Sequence, residues 1–124
     1  MGAASIEVVA RVLLASVFVV IGLQRLVTGL ALVGEPAAAM ALGTLSFSIV
    51  EVIVGLLIVV GWRLRMLASL AAAALLVDAL LSHPFWLETG PAWSGQLLHF
   101  MKNISAIGGF LLLAAVAGEG PRKT

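Results

Sequence analysis

Four long apolar stretches dominate this 124-residue chain and limit what it can fold into. They cover residues 8–31, 40–61, 66–83 and 97–117, with approximate limits. Each is close to the roughly 20 residues that an α-helix needs to cross a bilayer. Because 62% of the residues are hydrophobic and 10% are charged, a water-soluble domain could not bury this much apolar surface. The sequence therefore predicts an all-α, membrane-embedded four-helix bundle that forms a single domain over 1–124.

The distribution of lysine and arginine predicts how the four spans cross the membrane. The cytoplasmic ends of membrane spans carry an excess of these residues. With four crossings, both termini and the turn between the second and third spans share one side of the membrane. That side holds Arg11, Arg63, Arg65, Arg122 and Lys123. We therefore expect both termini to be cytoplasmic and the aromatic loop before the fourth span to be external.

Polar and ionisable side chains occur within all four spans, at similar depths towards the external side. The candidate ligand-binding residues are Arg25, Glu51, Asp78, His99, Lys102 and Asn103. An ionisable side chain inside a membrane span is costly unless it is paired, and it is a functional candidate for that reason. We expect these residues to line one polar pocket in the outer half of the bundle.

Helical spacing places these groups on stripes of small and polar residues. Arg25 shares a helix face with Gly22, and Glu51 shares one with Gly55. Such stripes normally face other helices rather than lipid, because small side chains let membrane helices approach closely. The ionisable residues are therefore expected to point into the bundle.

A purely structural role is the alternative for the same charges. Arg25 with Asp78, and Lys102 with Glu51, could form ion pairs that only fix the helix register. The two cations could also extend to the membrane surface, although this would not account for Glu51.

The remaining chemistry is limited. The chain has no cysteine, which excludes disulfides, thiolate nucleophiles and iron–sulfur ligation. His83 and His99 lie at the outer ends of consecutive spans, but neither span carries a second histidine, so we predict no metal site and no intrinsic cofactor. We expect His83 to cap its helix before Pro84. The formal net charge of +1, without a basic stripe, argues against nucleic-acid binding.

Several motifs resemble those of the DoxX family of small four-helix membrane proteins. The first span reads RVLLA over 11–15, and the loop reads HPFW over 83–86. The fourth span reads FMKN over 100–103 and GGFLLL over 108–113, which is the most specific of these matches. Arg25 stands where the family often has lysine. Because an arginine does not readily lose its proton, this favours anion or carbonyl binding over proton transfer at that position.

The resemblance implies a multi-pass protein of the bacterial cytoplasmic membrane and a loose link to redox or quinone metabolism. One hypothesis is a non-catalytic accessory or interaction subunit of a redox-associated membrane complex, with a membrane-protein partner or a second copy beside the lipids. The alternative is a redox protein that binds a quinone or lipid headgroup, for which Arg25, Lys102, Asn103 or His99 could donate hydrogen bonds. A transporter is a further alternative, and whether the protein is an enzyme stays open.

Overall fold

The computed structural model describes residues 2–31, 34 and 38–119, with the side chains of 38–41 left out. The helices are α1 (Ala3–Ala31), α2 (Ala38–Val60), α3 (Leu64–Ser82), a short 3-10 helix (Phe85–Leu87) and α4 (Gly90–Gly118). All four α-helices are long and apolar enough to cross a membrane. This confirms the all-α class with four spans. The orientation of the termini stays a prediction, and its residues Arg122 and Lys123 lie outside the described ranges.

Contacts between the helices divide the chain into two units. The first hairpin is Met1–Arg63, in which α1 packs against α2. The second hairpin is Leu64–Thr124, in which α3 and the 3-10 helix pack against α4. Each polar cluster described below belongs to one of these hairpins.

The first hairpin is held together by close approach of α1 and α2. The buried residues of α1 are Ala15, Phe18, Gly22 and Gly29. A Cβ atom added at Gly22 would lie 2.6 Å from Cγ2 of Val52 and 3.3 Å from the backbone oxygen of Ser48. The glycine therefore lets the two helices approach until backbone meets side chain, and the small-residue stripe predicted for α1 does face a helix.

The second hairpin has a core of small residues on α3 and larger ones on α4. The buried residues of α3 are Leu64, Leu67, Ala68, Ala71, Ala72, Leu75 and Ala79. On α4 they are Phe110, Leu113 and Ala114. Phe110 is fully buried, and the small alanine side chains of α3 allow α3 and α4 to pack closely.

The helix α4 begins at Gly90, well before the fourth apolar stretch at about residue 97. Pro91 occupies the first turn, where its missing N–H leaves no hydrogen bond unmade. The Gly-Pro pair therefore starts the helix instead of prolonging the loop. As a result Trp93, which we expected in the loop, lies on the first turns of α4 together with Gln96.

Each hairpin also has an arginine against a glycine at the end opposite its polar cluster. A Cβ atom at Gly61 would lie 2.6 Å from Nη1 of Arg11, and one at Gly118 would lie 2.9 Å from Nη1 of Arg65. The same kind of arginine–glycine contact therefore occurs in both hairpins, although the sequence shows no evident internal repeat.

Candidate functional site

The first polar cluster is an ion pair between α1 and α2. Nη1 of Arg25 donates a hydrogen bond to Oε2 of Glu51 at 3.1 Å. The Glu51 side chain is 12% exposed and that of Arg25 is 41% exposed. The guanidinium carbon of Arg25 also lies 5.9 Å from the centre of the Phe47 ring. The pair therefore joins two opposite charges within one hairpin.

This pairing differs from the one considered from the sequence. There, Arg25 was matched with Asp78 and Glu51 with Lys102. Spacing along a helix fixes which face a residue occupies, but it does not say which helix packs on that face. The structure instead pairs Arg25 with Glu51, so these two charges compensate each other within the first hairpin.

The second polar cluster is centred on Asp78, near the end of α3. Oδ1 of Asp78 accepts a hydrogen bond from Oγ of Ser82 at 2.9 Å. Oδ2 accepts one from Nδ2 of Asn103 on α4 at 2.8 Å. Nε2 of His83 lies 3.7 Å from the same Oδ2. The carboxylate therefore joins the C-terminal part of α3 to α4.

His83 continues this network towards the start of α4. Its Nδ1 lies 2.9 Å from Oε1 of Gln96, within hydrogen-bond distance. Its ring stacks on that of His99, with 5.2 Å between ring centres and 26° between planes. We expected this histidine to cap its own helix, whereas it contacts two residues of α4.

An open pocket of about 360 Å³ lies beside the network. Its lining is Ser82, His83, Glu88, Ala92, Gly95, Gln96 and His99. The four lining residues from α4 follow helical spacing and share one face. Glu88 and His99 are the lining side chains that make no hydrogen bond or ion pair with any residue of the described ranges, so they are available to a ligand.

Aromatic side chains lie at the same end of the second hairpin. The Phe85 ring packs edge-on against Trp86 and Phe100, with 5.2 Å between centres in both pairs, and against Trp93 at 6.4 Å. Trp86 is 50% exposed and Trp93 is 43% exposed. Exposed tryptophans are typical of the membrane–water interface. The pocket therefore lies at the same end of the second hairpin as this aromatic cluster.

The six predicted site residues fall within the two hairpins as follows. Arg25 and Glu51 form the first cluster, and Asp78, Asn103 and His99 contribute to the second. Lys102 is exposed on α4 and makes no hydrogen bond or ion pair within the described part of the second hairpin.

Four contributors to the second cluster and its pocket are not among the predicted site residues. These are Ser82, His83, Glu88 and Gln96. A signal existed for two of them: Ser82 lies four residues after Asp78, and Gln96 is three residues before His99, so each pair shares a helix face. Within the described ranges, no group of three or more histidine, cysteine, aspartate or glutamate residues could hold a metal ion.

Comparison with known proteins decides the family. The chain is 32% identical over 118 residues to the inner membrane protein YphA of Escherichia coli strain K12, and the match covers 90% of this chain and 82% of YphA. The chain belongs to the YphA family. Together with the four spans, this shows a multi-pass protein of the bacterial inner membrane, as predicted. No protein-family model and no solved structure matches this YphA relative, and the DoxX resemblance stays a prediction from motifs.

Proposed function

We propose that the protein is a non-catalytic inner-membrane protein that binds the polar headgroup of a membrane-soluble ligand, a lipid or a quinone. The observation that carries the proposal is the open pocket in the second hairpin, where Glu88 and His99 make no hydrogen bond or ion pair within the described ranges. The exposed Trp86 and Trp93 at the same end of the hairpin favour a position at the depth of lipid headgroups. Binding sites for small molecules commonly combine apolar walls with a few placed polar groups. The ligand's apolar part would remain in the bilayer.

The Asp78 network supports this function by fixing the pocket wall. The hydrogen bond from Asn103 to Asp78 holds the end of α3 against α4, and the bond from Ser82, within α3, fixes the orientation of the Asp78 carboxylate. The contact between His83 and Gln96 fixes the next turn of the wall. A wall that is already ordered loses less conformational entropy when a ligand binds.

The same contacts argue against a hydrolytic role. A serine nucleophile needs a hydrogen bond to a base that removes its proton. The hydroxyl of Ser82 donates to the Asp78 carboxylate rather than to an imidazole, and the neighbouring His83 contacts Gln96 and not Ser82, so no serine–histidine pair is formed. The side chains therefore support binding rather than nucleophilic catalysis.

Filling the pocket is expected to remove the ligand. A Cβ atom at Gly95 meets no atom within 4 Å, so Gly95→Leu places its side chain in the pocket without disturbing helix packing. Gly108→Leu is the matched control, because Gly108 is also on α4, also meets nothing within 4 Å and does not line the pocket. Native mass spectrometry in mild detergent should find a bound ligand on wild type and Gly108→Leu, and none on Gly95→Leu.

Two results would contradict this function. One is a wild-type protein that carries no small molecule under conditions in which it remains folded. The other is equal ligand retention by Gly95→Leu and Gly108→Leu. In the first result, the Asp78 network would have only a structural role.

A second candidate, an accessory subunit of a membrane complex, is favoured by Lys102. Its ammonium lies on an exposed face of α4 and has no partner within the described part of its hairpin. An uncompensated charge in a span costs about 2.5–3.5 kcal/mol even on lenient scales. A carboxylate or carbonyl from another helix, in a partner protein or a second copy, would offset this cost. The DoxX resemblance supports a redox-associated complex.

Removing the Lys102 charge is expected to release such a partner. Lys102→Met keeps the length and apolar stem of the side chain, while Lys102→Arg keeps the charge. Purification in mild detergent should show a protein partner or a dimer with wild type and Lys102→Arg, and a lone chain with Lys102→Met. A lone wild-type chain under the mildest conditions would contradict the accessory role.

A further inference from the structure

Two lining groups of the pocket in the second hairpin have opposite hydrogen-bonding character. The Glu88 side chain ends in a carboxylate, which accepts hydrogen bonds and attracts cations. The His99 ring carries at least one N–H, which donates. Neither group makes a hydrogen bond or an ion pair with a residue of the described ranges, although the His99 ring stacks on His83, whereas Asp78, His83 and Gln96 beside them already have such partners.

We propose that the pocket binds a phospholipid whose headgroup carries a primary ammonium. In this assignment the ammonium donates to the Glu88 carboxylate, and a phosphodiester oxygen accepts a hydrogen bond from the His99 ring. The inference rests on the proposed headgroup-binding function and specifies its ligand. A headgroup with an ammonium and an oxyanion satisfies both unpaired groups at once.

Other membrane-soluble ligands satisfy the pocket less well. Quinone carbonyls only accept hydrogen bonds. They can accept one from the His99 ring, but they offer no donor to the Glu88 carboxylate. A glycerol headgroup offers hydroxyl donors to Glu88 but no positive charge. A trimethylated ammonium keeps the charge but has no N–H. Charge-assisted hydrogen bonds are about twice as strong as neutral ones, so the primary ammonium is the favoured partner of Glu88.

The test is competition between lipids of defined headgroup. The full chain is reconstituted in nanodiscs that contain equal amounts of phosphatidylethanolamine, phosphatidylcholine and phosphatidylglycerol with matched acyl chains. Native mass spectrometry then measures which lipid remains bound after release from the disc. Wild type should retain phosphatidylethanolamine about tenfold over the other two, the factor expected from one charge-assisted hydrogen bond.

Two variants assign the preference to this pocket. Glu88→Gln keeps the side-chain shape but removes the charge, and it should abolish the preference for phosphatidylethanolamine. The matched control Glu119→Gln removes the same charge beyond the other end of α4 and should keep it. His99→Phe keeps an aromatic ring against His83 but removes the donor, and it should lower retention of all three phospholipids.

The outcomes separate this inference from the function on which it rests. Equal retention of the three lipids by wild type, combined with loss of all three in Gly95→Leu, would overturn the ammonium assignment and keep headgroup binding. A preference unchanged by Glu88→Gln would also overturn it. Retention that Gly95→Leu does not alter would overturn both.

Discussion

Replacing Gly22 with leucine is expected to disrupt the first hairpin. An added Cβ atom would lie 2.6 Å from Cγ2 of Val52, and 3.3 Å from both the backbone oxygen of Ser48 and the backbone nitrogen of Val52. The valine methyl group can rotate, but the backbone of α2 cannot move without separating the helices. Overpacking of this kind costs about 1–3 kcal/mol, and here a whole leucine side chain must also be placed. The expected result is a large fall in thermal stability in detergent.

Gly43→Leu is the matched control for that substitution. Gly43 lies on α2, and a Cβ atom there meets no atom within 4 Å. Both variants remove a helical glycine and add the same side chain, so a difference between them reports the α1–α2 contact. Equal thermal stability of the two variants would contradict the close approach of these helices at Gly22.

Replacing Arg25 with methionine is expected to have a similarly large effect. The change removes the guanidinium from Glu51, whose side chain is 12% exposed. Breaking a buried ion pair by removing one partner costs about 3–5 kcal/mol, and we expect about 3 kcal/mol because Arg25 itself is partly exposed. Thermal unfolding in mild detergent should therefore show a markedly less stable Arg25→Met protein.

The double variant Arg25→Met/Glu51→Leu shows whether the pair is structural. Replacing both members of an ion pair with apolar residues is often neutral, because no charge is left uncompensated. We therefore expect the double variant to recover most of the lost stability. A double variant as unstable as Arg25→Met would show that the two residues do not act as a pair, and the ion pair described for the first hairpin would be wrong.

The helices could be predicted because each apolar stretch is long enough to span a membrane and ends in glycine, proline or charged residues. The start of α4 could not. Gly90 and Pro91 are typical of a loop, yet proline is equally suited to the first turn of a helix. Local sequence does not distinguish a proline in a loop from one in the first turn of a helix. The distinction depends on tertiary contacts of the first turns of α4, such as the contact between Gln96 and His83.

The site was predicted in part. Asp78 and Asn103 were identified because polar groups inside a span need partners, and they do bond to each other. The partner of Glu51 was missed because spacing gives the face of a helix and not its neighbour. Glu88 was not among the predicted site residues, since a lone carboxylate in the connection between α3 and α4 has no distinguishing pattern. Its relevance follows only from the pocket that α4 forms beside it.

Photo-crosslinking shows most directly whether a headgroup occupies the pocket of the second hairpin. A phospholipid with a diazirine beside its headgroup is incorporated into nanodiscs with the full chain, and crosslinked peptides are mapped after irradiation. Headgroup binding predicts crosslinks concentrated within residues 82–99 of wild type and Gly108→Leu, and lost in Gly95→Leu. Crosslinks spread evenly over the four helices, or unchanged in Gly95→Leu, would contradict it.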